Sequence, residues 1–321
     1  MSAQPLLQVK NLSVSLNRNT VSFPVVEDLS FNVFPGQTLA IIGESGSGKS
    51  ITAQSLMQLL PEEYFSISGE AFLHKENLLD RKNLLSKTLF GSKMAMIFQN
   101  PLASFDPVFT IEQQFHEVIR THLDLTKKVA HEQIVTVLRE TGFQDPERCI
   151  KLYPHELSGG MLQRMAIAMT LLTSPDLLIA DEPTTALDVS VQYQILQLLK
   201  TLQKKTGMSL LVITHDMGVV AEMADDVFVL YAGRMAEYSS VQDIFHSPAH
   251  PYTKDLLASR PSQYKKQTFV PISGHPPHYT NLPKGCCYSP RCQKALPICY
   301  KQSPHAISLN DHHHVRCWLY E

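Results

Sequence analysis

Two stretches of the chain hold residue types suited to handling phosphate. Gly43-Glu44-Ser45-Gly46-Ser47-Gly48-Lys49-Ser50 follows the pattern G-x-x-x-x-G-K-[ST] and runs on into Ile51. Glycines there let the backbone curl until successive N–H groups converge on phosphate oxygens, and a helix starting at the loop adds its positive dipole end. Lys49 would reach the β- and γ-phosphates of a nucleoside triphosphate, and the Ser50 hydroxyl would ligate Mg²⁺. A glycine-rich turn with an incidental Lys-Ser is the plainer reading. The second stretch is Leu177-Leu178-Ile179-Ala180-Asp181-Glu182, an apolar run ending in two carboxylates. Asp181 would hold the same Mg²⁺ through water, and Glu182 could polarise an attacking water. Acidic strand ends are common, so this pair gains weight only beside the loop.

Two further elements count by their order. Leu157-Ser158-Gly159-Gly160-Met161 precedes an apolar helical stretch. It reads either as a serine N-cap with a flexible loop or as a second anion-binding helix start. His215 follows the apolar run Leu210–Ile213 and closes the series of loop, Ser-Gly-Gly element and Asp-Glu pair. A histidine at a strand tip is ordinarily structural; in this series it is a candidate for chemistry.

These residues need a scaffold, and the hydrophobic pattern supplies one. Four compact apolar runs, Leu39–Ile42, Met94–Phe98, Leu177–Ala180 and Leu210–Ile213, suit parallel strands covered on both faces. Ala53, Leu56, Met57 and Leu60 are spaced at i, i+3, i+4, i+7, as are Leu162, Met165, Ala166 and Met169. Residues 7–34 alternate with a period of two, which predicts short antiparallel strands. From Thr110 to Pro154 the spacing is helical, which predicts a helical subdomain inserted into an α/β core. Beyond about residue 260 the composition shifts to Pro, His and Cys, predicting a loop-rich extension. No internal repeat is present.

Composition narrows the function classes. The 321 residues are 44% hydrophobic and 18% charged, enough for a sizeable core. Lys plus Arg total 28 against 30 Asp plus Glu, so no basic excess points to nucleic acid. No apolar run reaches the ~18–20 residues that cross a bilayer, and Met1–Lys10 lacks the apolar core of a signal peptide. A cytosolic chain is expected. Cys149 stands alone, whereas Cys286, Cys287, Cys292, Cys299 and Cys317 crowd the end. In a reducing compartment such crowding suggests metal ligation. Cys286, Cys292, Cys299 and Cys317 are spaced C-x5-C-x6-C-x17-C, without paired C-x2-C knuckles. Four thiolates suit zinc or an iron–sulfur cluster; four reduced, unliganded cysteines are the plainer reading. Cys287 falls outside the pattern, and His312-His313-His314 reads as a solvated tract or stray ligands.

The ordered set resembles the nucleotide-binding subunits of ATP-binding-cassette (ABC) transporters over about residues 6–260. Gly43–Ser50 matches the Walker A loop, Gln99 the Q-loop, Ser158-Gly159-Gly160 the signature, Asp181-Glu182 Walker B, Ala186-Leu187-Asp188 the D-loop, and His215 the switch histidine. The resemblance implies an α/β fold with a P-loop NTPase (RecA-like) core, an N-terminal antiparallel β-subdomain and an inserted helical subdomain at about 100–165. It implies ATP and Mg²⁺, with Ser50, Gln99 and Asp181 around the metal and Glu182 as general base. His215 would bridge γ-phosphate and water, and Gln99 would sense a membrane partner. Two such subunits would sandwich two ATP molecules, each loop facing the other's Ser158. Met161 stands where the general signature has Gln, and Leu16 stands about where an aromatic would stack on adenine, with Phe23 nearby.

Finer resemblance is to the peptide and nickel importer branch. It rests on Asn100-Pro101 with Ser104-Phe105-Asp106-Pro107, and on His250-Pro251-Tyr252-Thr253. Gly274-His275-Pro276-Pro277, Leu282-Pro283 and Pro290-Arg291-Cys292 look like the Cys/Pro-rich C-terminal extension of di- and oligopeptide importer ATPases. That family is associated with a [4Fe–4S] cluster on the four-cysteine pattern. The resemblance implies a nucleotide-binding domain over 1–260, an extension over 261–321, and a place on the cytoplasmic face of the inner membrane. It implies a second, related ATP-binding subunit, two transmembrane permease subunits and, indirectly, a substrate-binding protein. A nickel importer ATPase is the alternative within the branch. A soluble ABC ATPase of repair, chromosome maintenance or translation fits poorly: no sustained heptads separate Ser50 from Ser158, and there is one cassette.

Overall fold

The structure, a computed structural model, describes residues 4–82, 88–185, 187–259 and 272–321. The expected domain junction at 260/261 and Ala186 of the D-loop lie outside these residues. Contacts divide the chain into two compact units. The first comprises Met1–Val33, Thr38–Asp80 and Ile213–Glu321; the second comprises Phe34–Gln37 and Arg81–Val212.

In the first unit, β1 (Leu7–Arg18) and β2 (Val21–Val33) form an antiparallel pair, and β4 (Phe65–Leu73) and β5 (Glu76–Asn77) extend the sheet in the order β2-β1-β4-β5. Leu7, Val9, Leu12 and Val14 are buried, as are Val26, Leu29, Phe31 and Val33. The short strands expected over 7–34 are instead two long ones. The period slips at register shifts around Leu12, where Asn11 and Asp28 take left-handed φ of 50° and 55° and Asn11 Nδ2 donates to Asp28 at 2.8 Å. Bulges carry the strand through positions where the alternation breaks.

The same unit holds β3 (Thr38–Ile42), buried at every residue, which leads through the glycine-rich loop into α1 (Lys49–Leu56). Parallel to β3 runs β9 (Asp226–Tyr231), with Leu39 opposite Asp226 and Ile42 opposite Val229. Next come β10 (Arg234–Ser240), β12 (His313–Val315) and β11 (Ile307–Asn310), in the order β11-β12-β10-β9-β3. All six residues of β9 are buried, and its residues 227–231 form a fifth continuous apolar run beyond the four from which strands are expected.

The second unit is built on β6 (Met94–Ile97) and β7 (Leu177–Asp181), a parallel pair, with β8 (Ser209–Thr214) beside β7. Its helices are α2 (Ile111–His122), α3 (Lys127–Glu140), α4 (Pro146–Cys149), α5 (Gly159–Leu171) and α6 (Val189–Thr206). A capping box starts α2: the Thr110 hydroxyl accepts from the Gln113 N–H, and the Thr110 N–H donates to the Gln113 side chain at 2.9 Å. The apolar stripe Ile111, Phe115 and Ile119 is buried. Among the described residues, no helix is long and apolar enough to cross a membrane.

Candidate functional site

The glycine-rich loop is shaped by close backbone approach. A Cβ on Gly43 would stand 2.2 Å from the Leu230 carbonyl oxygen, so only glycine fits. Gly48, with φ of 103°, caps α1, and the Ser47 carbonyl accepts from the Gly233 N–H at 2.9 Å. Ser45 and Gly46 are exposed at the tip, Ser50 and Ile51 are half-buried, and Lys49 is buried with its ammonium on the Gly43 and Glu44 carbonyls at 2.9 and 3.0 Å. The Ser47 hydroxyl is buried without a hydrogen-bond partner. A buried donor left unmade at the floor of a cradle of N–H groups fits an anionic ligand such as a polyphosphate.

Glu44 is held on three sides. Its N–H donates to the Tyr252 hydroxyl at 2.9 Å, and its carboxylate accepts both Arg291 nitrogens at 2.5 and 3.0 Å. Tyr252 sits on α8 (Pro251–Ala258), which starts at the His-Pro-Tyr-Thr segment. His250 is its N-cap, Nδ1 accepting the Tyr252 N–H at 3.0 Å, and complete burial pushes its pKa down to about 4. The Arg291 link escaped sequence reading because it spans 247 positions, although Pro290-Arg291-Cys292 was already a marked segment.

In the second unit, Asp181 is buried at the end of β7, and Glu182 follows in a left-handed backbone with φ of 48°. Non-glycine residues there store of order 1 kcal/mol or more, and such strain gathers at functional sites. The structure brings Gln99 to this glutamate: its Nε2 donates to Glu182 Oε2 at 3.1 Å, and Thr185 Oγ1 donates to the same oxygen at 2.7 Å. Ser158 caps α5 through the Met161 N–H at 3.3 Å, so the plain N-cap reading holds as local geometry. Ser158 and Gly159 are nevertheless exposed. Gly160 abuts the start of α6: a Cβ there would stand 2.9 Å from Val191 Cγ1. Asp188 caps α6 through the Val191 N–H at 2.9 Å, and that bond, with the Ser190 hydroxyl, lowers its pKa.

His215 belongs to the first unit, exposed just after β8 and before α7 (Met217–Met223), whose N-cap is Asp216. Phe23 lies opposite Leu16 on β2 and makes an edge contact with Tyr279 at 6.0 Å between ring centroids.

The tail cysteines share one neighbourhood. The Cys286 N–H donates to the Cys299 carbonyl at 2.8 Å. Burial first, then the charges of Cys299, Cys287 and Cys317, pushes the Cys286 thiol up to about 12; burial also raises Cys292 and Cys317, each beside Cys299. Among the described residues, no three His, Cys, Asp or Glu side chains are placed to hold one metal ion. Other contacts fold this segment. Arg234 donates to Cys287 Sγ at 3.5 Å and to Glu27 at 2.6 Å, and the Tyr231, Tyr252 and Tyr288 rings meet at 4.6–5.3 Å. Cys287 is therefore a core residue. The histidine tract is mixed: His312 is exposed and His314 half-buried, whereas His313 is buried against the fully buried Glu237 at 2.8 Å, and Glu237 also accepts the Ala249 and His250 N–H groups.

Comparison with known proteins agrees with this arrangement. Residues 26–185 match the ABC transporter family model, and residues 236–299 match the oligopeptide/dipeptide transporter C-terminal region. The dipeptide transport ATP-binding protein DppD of Bacillus subtilis is 43% identical over 98% of this chain and 95% of its own length. The oligopeptide transport ATP-binding protein OppD of the same organism is 42% identical over 98% of this chain and 88% of its own. Among solved structures, the dimeric MJ0796 cassette bound to ADP and Pi superposes with a TM-score of 0.65 at 24% identity, covering 73% of this chain and 98% of that one. Its likeness shows the fold: an ATP-binding cassette with an antiparallel β-subdomain and a P-loop core.

Proposed function

Because the chain belongs to the ABC transporter ATP-binding family, we propose that it hydrolyses ATP to energise the import of di- and oligopeptides across a membrane. The observation that carries the hydrolytic reading is Glu182, a strained carboxylate at a strand end with Gln99 and Thr185 on one of its oxygens. The tail family match and the names of the relatives favour peptides over nickel.

In this reading Gly43–Ile51 wraps the polyphosphate, and Lys49 leaves the loop carbonyls for the β- and γ-phosphates. Ser50, Gln99 and Asp181 would hold Mg²⁺, which supplies charge neutralisation on the phosphates. Glu182 takes a proton from the attacking water as its oxygen bonds to the γ-phosphorus and the bond to the bridging oxygen of ADP breaks. His215 orients water and γ-phosphate. Ser158 and Gly159, exposed at a helix start, and the half-buried Gly160 dock on the ATP of a second subunit, with Asp188 beside them. The working assembly has two related ATP-binding chains and two permease subunits, supplied by a substrate-binding protein. This chain lies at the cytoplasmic face as a peripheral subunit, without nucleic-acid partners.

Residues 1–260 form the ATP-binding domain in this reading, and 261–321 its extension. Cys286, Cys292, Cys299 and Cys317 would hold a [4Fe–4S] cluster, with zinc as the alternative, serving as a structural cross-link. Their common neighbourhood and sulfur-only donor set support this. Anaerobic purification with metal analysis separates iron from zinc, and protein with neither overturns it. The function itself is tested in vesicles carrying the chain with its permeases and binding protein. Labelled dipeptide should accumulate only with ATP inside the compartment that faces this subunit. ATP-driven nickel uptake without peptide uptake would reject the assignment.

A further inference from the structure

The contact between the phosphate loop and the C-terminal tail carries more than packing. Arg291 is a buried side chain, 4% exposed, that donates both terminal nitrogens to the Glu44 carboxylate. Its Nη1 also donates to the Tyr231 hydroxyl at 3.2 Å, and its Nε donates to the Ser273 carbonyl at 2.9 Å. The guanidinium lies 5.8 Å from the Tyr231 ring centroid and 5.9 Å from that of Tyr288. A planar fork fixed at every nitrogen is the geometry that orients a carboxylate. Glu44 is the second residue of the loop, so its carboxylate is a negative charge beside the place where a polyphosphate would bind.

We infer that Arg291 is a positioning residue for nucleotide binding, which neutralises Glu44 and turns its carboxylate away from the bound phosphates. The tail thereby becomes part of the nucleotide site without touching nucleotide. A free Glu44 carboxylate would repel a polyphosphate and compete with it for Lys49. This inference rests on the proposed phosphate role of Gly43–Ser50.

The experiment measures ATP affinity of the full chain, and KM and kcat of the assembled transporter, for four variants. Arg291→Met keeps an apolar stem beside the tyrosine pair and removes the charge. It should raise the ATP Kd and KM by about five- to tenfold at low ionic strength, with kcat changed much less, and the gap should shrink as salt is raised. Arg291→Lys should recover part of the loss, because it restores charge without the fork. The double variant Arg291→Met/Glu44→Gln should recover most of it, a rescue that a merely structural arginine would not allow. Wild-type affinity in Arg291→Met, or a loss that Glu44→Gln leaves unrepaired, overturns the inference. Lys49→Ala is the separate arm. Lost ATP binding there beside an unaffected Arg291→Met rejects Arg291 alone, whereas retained binding rejects the phosphate loop and the inference with it.

Discussion

The Gly43–Ser50 loop and the Ser158–Gly160 turn both begin helices with serine and glycine, but their surroundings differ. Around the first, the Leu230 carbonyl, Tyr252 and Arg291 leave no freedom at Gly43 or Glu44. Around the second, Ser158 and Gly159 are exposed, and the nearest heavy atom to a Cβ on Gly159 is Leu187 Cδ2 at 3.8 Å. A rigid cradle suits a ligand bound within the chain, because ordering costs are met on folding. An open helix start suits docking on a second chain.

The comparison can be pressed experimentally. The largest effect is expected for Glu182→Gln in the assembled transporter: an amide keeps the shape but cannot take a proton, so kcat should fall by ~10²–10⁴-fold while ATP still binds. A wild-type rate would remove Glu182 from the chemistry. Next comes Ser158→Arg, built in the Glu182→Gln background. ATP-dependent dimerisation, followed by light scattering, should disappear although each chain still binds nucleotide; unimpaired dimers would refute the open-dock reading of this turn.

Substitution at the rigid side should unsettle the fold as well as binding. Gly43→Ala sets a Cβ 2.2 Å from a backbone oxygen, an overpacking expected to lower stability by about 1–3 kcal/mol in denaturant titrations. The clamp should also loosen in acid through His250, which caps the helix bearing Tyr252. Its folded pKa is depressed, so unfolded chains take the proton first, near pH 6.5, and the stability present above 6.5 is lost as pH falls toward about 4. Between pH 7.5 and 5 the wild type should lose about 2 kcal/mol more than His250→Asn, which keeps a capping side chain. Parallel pH profiles would show that His250 does not titrate in this window. The smallest effect belongs to the open side: Gly159→Ala meets no clash and removes unfolded-state freedom, for a gain of about 0.5 kcal/mol by thermal denaturation.

Much of the site was legible because it is written in contiguous residues. The loop pattern, the buried runs of β3 and β7, and the Ser158 cap each depend on neighbours within one turn or strand, and hydrophobic period and capping chemistry report them directly. β9 was equally legible, since its residues 227–231 form an unbroken apolar run. The long strands β1 and β2 were less so, since bulges at Asn11 and Asp28 break the alternation on which the reading depends.

The sequence by itself determined the chemistry at hand: a cradle for phosphate, two carboxylates at a strand end, a serine-capped helix start and a thiol-rich tail. Tertiary structure alone decided which of these residues meet. Gln99 reaches Glu182 across 83 positions, Arg291 reaches Glu44 across 247, and His313 reaches Glu237 across 76. It also decided that Cys287 and His313 are interior residues. The physical reason is the range of the forces involved. Period, caps and glycine conformations act over a few residues, whereas ion pairs and buried hydrogen bonds act over ångströms, and only strand order and register place distant residues that close.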